Sequence, residues 1–283
     1  MKGAATGREW LASAAWAECV AHKCINPLLP SFLASCFLVL KRPAEAKPVL
    51  IPFPLSCPLP RSTIMRRICF VGASTVEGMG DEAGLGWPGR LWQAHRGEDS
   101  AFVSYNLGIR GQTLNQFRKR ARQECEQRFQ RTMGPIIILG TGANDLSRFA
   151  EGDYQGKPRT PQASLLRNFR ELVSDLSAIA TLLVIGPPLI EEDRMPFKME
   201  KQPSLDFRLE DIAAVSLLYR DICKDNDIAF FNLYEALSQS PVYRRSLSEG
   251  ADGLHPTGMG YQVIADQVGA WSAWKAALEK GWA

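Results

Sequence analysis

The chain has 283 residues, 46% hydrophobic and 22% charged, ordinary values for a globular protein. That length suits one large domain or two small ones, and no repeat of 20–50 residues is evident. The net charge of +3 is unevenly spread: residues 1–65 carry seven Lys/Arg and three Glu, while the rest carries 26 basic and 27 acidic residues. The near-neutral body excludes the electrostatic footprint of a nucleic-acid-binding protein.

Residues 1–64 are rich in Pro, Ala and Cys and show no sustained period. Their one apolar run, Leu28 to Leu40, is about 13 residues long, short of the roughly 20 that span a membrane. Ala44-Glu45-Ala46 has the form of a signal cleavage site, but Lys41-Arg42-Pro43 falls between it and the apolar run. The segment is read as a low-order or non-native extension ahead of an organised domain at 65–283. A targeting segment over residues 1–46, which would make the protein secreted, is the alternative. Seven cysteines, none in a CxxC pair or a metal-type Cys/His spacing, argue against a disulfide framework. Reduced thiols point to the cytoplasm, and Cys69, inside an apolar run, reads as buried and inert. No stable membrane insertion is expected, and the oligomeric state is not encoded in any pattern here.

From Arg66 onward, short apolar, β-branched runs alternate with segments long enough for helices. Ile68–Val71 is the first predicted strand. Trp87 and Pro88 open a short helix, with His95 at its end. Phe102–Leu107 is the second strand, and Leu114–Arg131 a charged helix whose Arg/Lys-rich face is read as solvated. Ile136–Leu139 is the third strand. Pro161–Ala180 follows with apolar residues at Leu165, Leu166, Phe169, Leu172, Val173 and Leu176, a helical stripe. Leu182–Ile185 is the fourth strand, Phe207–Asn226 the next amphipathic helix and Ile228–Leu233 the fifth strand. Gly258–Leu278 closes the domain, with Thr257 placed to cap it. Strands apolar on both faces and separated by helices mean a parallel sheet covered on both sides. The expected fold is therefore α/β: a three-layer α/β/α sandwich with a central parallel sheet of about five strands. In such folds ligands bind outside the carboxyl ends of the strands.

The residues just after those ends are chemically suggestive. Gly72-Ala73-Ser74 follows the first strand. Asn106-Leu107-Gly108-Ile109-Arg110-Gly111 closes the second and continues beyond it. Gly140-Thr141-Gly142-Ala143-Asn144-Asp145 follows the third. One sheet edge thus collects a hydroxyl, an unobstructed glycine N–H and a carboxamide. Asp252-Gly253-Leu254-His255-Pro256 precedes the last helix. The proline pushes His255 into extended geometry, and Asp252 is close enough in sequence to reach its imidazole. His22 and His95 have no such partner.

These four blocks, in this order over about residues 66–280, resemble the signature blocks of the SGNH hydrolase (GDSL-type esterase/lipase) family. The resemblance implies a flavodoxin-like sandwich and a serine esterase or acylhydrolase that cleaves small-molecule carboxylic esters through an acyl-enzyme, with no metal or cofactor. It implies Ser74 as nucleophile, His255 as general base and then acid, and Asp252 as the residue that orients it. The oxyanion donors would be the backbone N–H groups of Ser74 and Gly111 and the side chain of Asn144. The sequence departs from the family at Ala73, where Asp is usual; the change removes a polar anchor of the loop, not a proton-transfer group. A serine hydroxyl needs an adjacent base to attack at neutral pH, and a histidine, with an ordinary pKa of about 6.5, can take and return that proton.

Two long loops, Leu146–Thr160 and Leu189–Asp206, are expected to shape the substrate pocket. The second carries Met195, Phe197 and Met199, with Met195 and Phe197 the candidates for covering an acyl group. Three other readings remain open: acyl transfer to an alcohol by the same triad, a non-catalytic flavodoxin-like binding module that cradles a flavin phosphate on Ala73-Ser74-Thr75, and a catalytically dead binding relative, which only Ala73 suggests.

Overall fold

The computed structural model describes residues 66–96, 102–130, 134–199 and 202–279. The expected N-terminal extension and its possible targeting segment lie outside the described residues. In chain order the elements are β1 (Arg66–Gly72), α1 (Ser74–Glu77), α2 (Gly86–Ala94), β2 (Phe102–Gly108), α3 (Leu114–Arg118), α4 (Ala121–Arg128), β3 (Ile136–Gly140), β4 (Arg148–Phe149), α5 (Gln162–Ser177) and β5 (Thr181–Ile185). They continue with a 3₁₀ turn (Glu192–Arg194), β6 (Phe197–Met199), β7 (Gln202–Asp206), α6 (Leu209–Asp225), β8 (Ala229–Phe231), α7 (Leu233–Ser238), α8 (Pro241–Glu249), α9 (Gly258–Ala270) and α10 (Ser272–Glu279).

The main sheet is parallel, with strand order β2-β1-β3-β5-β8. That is the doubly wound order in which the chain reverses direction across the sheet between the first and third strands, so the crevice above β1 and β3 is the expected ligand site. Alternation along each strand divides the core in two. Ile68 and Phe70 of β1, Ile136 and Ile138 of β3, and Leu183 and Ile185 of β5 face one layer, packed on α2, α9 and α10. Cys69, Val71, Ile137, Leu139, Leu182 and Val184 face the other, packed on α3 to α6. Phe70 meets Trp87 edge-on at 5.3 Å between centroids. Truncating such a ring to Ala costs about 3–5 kcal/mol. Cys69, Cys125 and Cys223 are all buried in the second layer.

The structure differs from the sequence reading at several points. The edge strands β2 and β8 are only partly buried, because an edge strand lacks a neighbour on one side. The fifth strand stops early: Asn232 caps α7 with its side chain, so Leu233 is helical. The charged helix breaks between α3 and α4, where Arg120 leaves helical geometry (φ −132°). The closing helix breaks at Trp271, whose ψ of 126° is extended. Thr257 does occupy the cap position of α9, but its hydroxyl pairs with Ser246, and the free amide of Gly258 is met instead by Glu82 at 2.8 Å.

The two long loops are not independent. β4 from the first pairs antiparallel with β7 from the second, and β7 pairs with β6. This small sheet covers a third apolar cluster of Ile190, Leu205, Phe207, Ile212 and Leu254, with Met195 and Phe197 packed against it.

Candidate active site

Ser74 is the first residue of α1, immediately after β1. The first amides of a helix have no intrahelical partner and carry a partial positive charge, so its backbone N–H is suited to meet an oxyanion. The turn lies so close over the strand ends that only glycine fits beneath it. A Cβ on Gly72 would lie 2.3 Å from Val76, and one on Gly108 would lie 2.3 Å from the backbone nitrogen of Glu77. The far end of the turn is held by Asn106, whose amide donates to the carbonyl of Val76 at 2.8 Å.

His255 is reached from the other end of the domain. Its Nε2 lies 2.7 Å from Ser74 Oγ, and its Nδ1 lies 2.7 Å from Asp252 Oδ2. The second carboxylate oxygen of Asp252 accepts the backbone N–H groups of Leu254 and His255, both at 2.9 Å. Ser74 and His255 are each 8% exposed, so the hydroxyl–imidazole pair is shielded but open on one side. Burial alone would raise the pKa of Asp252, but the hydrogen bond and charge of His255 and the two backbone amides together hold it below the ordinary carboxylate value.

The oxyanion candidates converge on the same edge. Gly111 has φ +75°, a left-handed conformation that favours glycine, and an added Cβ there would meet nothing, which leaves the loop surface open. Asn144 Nδ2 donates to the carbonyl of Gln112 at 3.0 Å, and an amide nitrogen carries a second hydrogen for another acceptor. Asp145 anchors this arrangement from beneath. Its Oδ2 accepts the Leu114 N–H at 2.8 Å and its Oδ1 the Thr160 hydroxyl at 2.9 Å. Burial pushes the Asp145 carboxyl up, against the two hydrogen bonds and the charge of Arg159.

Several supporting residues had no local signal in the sequence. Glu77 accepts the Arg110 backbone N–H at 2.8 Å and pairs with its guanidinium, whose hydrogen bond is the main cause of the carboxyl's lowered pKa, and so ties the Gly111 loop to α1. Arg194 donates to the carbonyls of Ser248 (3.1 Å), Gly250 (2.7 Å) and Ala251 (2.9 Å), just upstream of Asp252. Glu191 adds its N–H to Gly253 O at 2.8 Å. The arginine face of α3 and α4 is not simply solvated: Arg118 pairs with Glu171 and bonds Asn168, and Arg120 turns inward with its side chain only 14% exposed.

Of the two residues expected over an acyl group, Phe197 stands edge-on to the His255 ring at 6.4 Å between centroids. Met195 packs into the third apolar cluster. The side chain of Met199 lies outside the described residues. Ala73 is 3% exposed. It borders a cavity of about 10 Å³, room for roughly one water, shared with Thr75, Thr141 and Gly142. Among the described residues, no group of three or more His, Cys, Asp or Glu could hold a metal ion, and no helix is long and apolar enough to cross a membrane.

Comparison with known proteins bears on the fold and the family. No curated protein sequence matches the chain significantly. Among solved structures, a lipase/acylhydrolase from Enterococcus faecalis is 20% identical, with a TM-score of 0.56 over 76% of this chain and 97% of that one. A catalytic mutant of an acetylxylan esterase from Geobacillus stearothermophilus is 15% identical, with a TM-score of 0.54 over 71% and 91%. The acetyl xylan esterase AlAXEase is 16% identical, with a TM-score of 0.53 over 74% and 98%. At these identities the likeness is one of fold. The GDSL-like lipase/acylhydrolase family matches residues 70–263. The chain belongs to that family, and is a hydrolase of carboxylic esters.

Proposed function

We propose that the protein cleaves small carboxylic esters through an acyl-enzyme on Ser74. The observation that carries this reading is the unbroken chain from Ser74 Oγ to His255 to Asp252, with 2.7 Å at each step. Oγ attacks the acyl carbon while His255 Nε2 takes its proton. The carbonyl π pair moves to oxygen, where the N–H groups of Ser74 and Gly111 and the free amide hydrogen of Asn144 receive it. Collapse breaks the bond to the alcohol, which leaves with the proton from Nε2. A water then repeats the sequence and releases the acid. Asp252 holds the imidazole in the tautomer whose Nε2 is unprotonated and stabilises the imidazolium, without itself taking the proton.

Labelling with a fluorophosphonate, followed by peptide mapping, tests the assignment. Ser74 is expected to carry the label, and Ser74→Ala to lose both labelling and turnover of p-nitrophenyl acetate. A label on another residue, or unchanged turnover in Ser74→Ala, overturns it.

A further inference from the structure

Arg120 sits where the charged helix breaks, and its side chain turns inward there. The backbone leaves helical geometry there, and the guanidinium points back beneath the sheet edge rather than out to solvent. It donates to the carbonyl of Leu107 at the end of β2 (2.9 Å) and to the carbonyl of Gly72 at the end of β1 (3.3 Å). It also donates to the side chain of Gln112 at 2.7 Å and is balanced by Glu124 at 3.2 Å. Gly72 precedes Ala73-Ser74. Gln112 follows Gly111, and its own carbonyl accepts from Asn144 Nδ2 at 3.0 Å. The Gly72 carbonyl also accepts the Ile109 N–H at 3.1 Å. One planar cation therefore touches the strand end that presents Ser74, the strand end that launches the Gly111 loop, and the residue that joins that loop to Asn144.

We infer that Arg120 is a positioning residue that sets the spacing of the oxyanion donors, acting through Gln112 and the two strand-end carbonyls. The inference rests on the triad reading above, since it assumes that the donors meet an oxyanion. Arginine suits the task because its fork supplies several fixed donors at once, which the compact ammonium of lysine cannot match. The residue needs no contact with substrate. Misplacing a catalytic group by about 1 Å can cost roughly 100-fold in rate.

The test separates positioning from simple support of the fold. Active enzyme is first counted by fluorophosphonate labelling of Ser74, so that turnover is expressed per competent site. Failure of the wild-type protein to label at Ser74 defeats the triad reading itself, and is distinguishable from everything that follows. In Arg120→Met, turnover per labelled site on p-nitrophenyl acetate is expected to fall about 10- to 100-fold, with KM within about twofold. Affinity for phenylboronic acid, whose boron bonds Oγ and whose oxygen occupies the oxyanion position, is expected to weaken by a similar factor. Arg120→Lys is expected to recover part of both losses. Gln112→Ala keeps the guanidinium in place and removes only its contact with the loop. It is expected to shift turnover and boronate affinity in the same direction by a smaller factor, and it serves if the Arg120 variants do not fold. Unchanged turnover per labelled site in these variants, or lost turnover with unchanged boronate affinity, overturns the proposal.

Discussion

The two sides of the cleft are held in place by different means. On the side of the proposed nucleophile, Ser74, Gly111 and Asn144 stand directly at the ends of β1, β2 and β3 or in the loops that follow them, and the register of the parallel sheet fixes their spacing. Glycines beneath α1 let the turn sit close, and short side-chain ties trim the geometry. On the base side no strand of the main sheet ends at His255. The loop from Gly250 to Pro256 is held by polar contacts: the Asp252 carboxylate on its own backbone, Arg194 on three of the preceding carbonyls, Glu191 on Gly253, and Glu82 at the start of α9. Sheet register is shared among many residues, whereas a loop held by a few charged hydrogen bonds depends on each one. Substitutions that do not touch a reacting group should therefore loosen the base side locally and leave the sheet protected.

Asp252→Asn should show the largest effect. The amide would face Nδ1 with the wrong donor pattern and favour the tautomer that cannot accept the Ser74 proton. Turnover is expected to fall about 10⁴-fold while the fold persists, by the precedent of triad acids generally. Steady-state kinetics beside a circular dichroism spectrum checks it, and a loss below tenfold would contradict the orienting role. Asn144→Ala comes next. Removing one oxyanion donor typically costs about 100- to 1,000-fold in turnover, with little change in KM. A raised KM with normal turnover would assign Asn144 to ground-state binding instead.

Arg194→Ala compares the two sides directly. It removes the clamp on the loop that carries the base but touches neither the sheet nor the oxyanion donors. Hydrogen bonds from a charged donor contribute about 1.5–3 kcal/mol when buried, and the partial exposure of Arg194 argues for the low end. Turnover is expected to drop about tenfold, and amide exchange in residues 250–256 to rise while that of β1 and β3 stays protected. Faster exchange across the whole sheet would show that the base side is not an independent unit.

Those contrasts also explain what the sequence made legible. The five strands, the helical stripes of α5 and α6 and the four motif blocks are local signals, carried by residues a few positions apart; they lie where expected, except that the fifth strand ends early, at Phe231. The break at Arg120 was not legible, because its side chain is tied to partners outside its own helix. Arg120 reaches a carbonyl 48 residues back. The small sheet joining the two long loops was missed for the same reason: β4 is two residues long and has no pattern of its own. Helices α7 and α8 did leave a local mark, Asn232 before Glu235 and Ser240 before Pro241, where both cap side chains accept a backbone N–H. Arg194 and Glu82 left none, since their partners are backbone groups that any sequence would supply.

The subtlest contrast lies in two carboxyls of opposite behaviour, one on each side of the cleft. Asp252 is held below the ordinary carboxylate value, so its contribution to stability is present above about pH 3.9 and is lost as pH falls through its folded-state pKa. Asp145 is pushed up by burial, so the folded protein binds its proton more tightly than the unfolded chain does. Between the unfolded value of about 3.9 and the raised folded value, stability must then decline as pH rises. Asp145→Asn keeps an oxygen acceptor for the Leu114 N–H but does not titrate. Urea unfolding from pH 3 to 7 is expected to show wild type losing ground to Asp145→Asn as pH rises, and losing its advantage over Asp252→Asn as pH falls. Parallel pH profiles for wild type and Asp145→Asn would mean that the Leu114 and Thr160 hydrogen bonds fully offset the burial of that carboxylate.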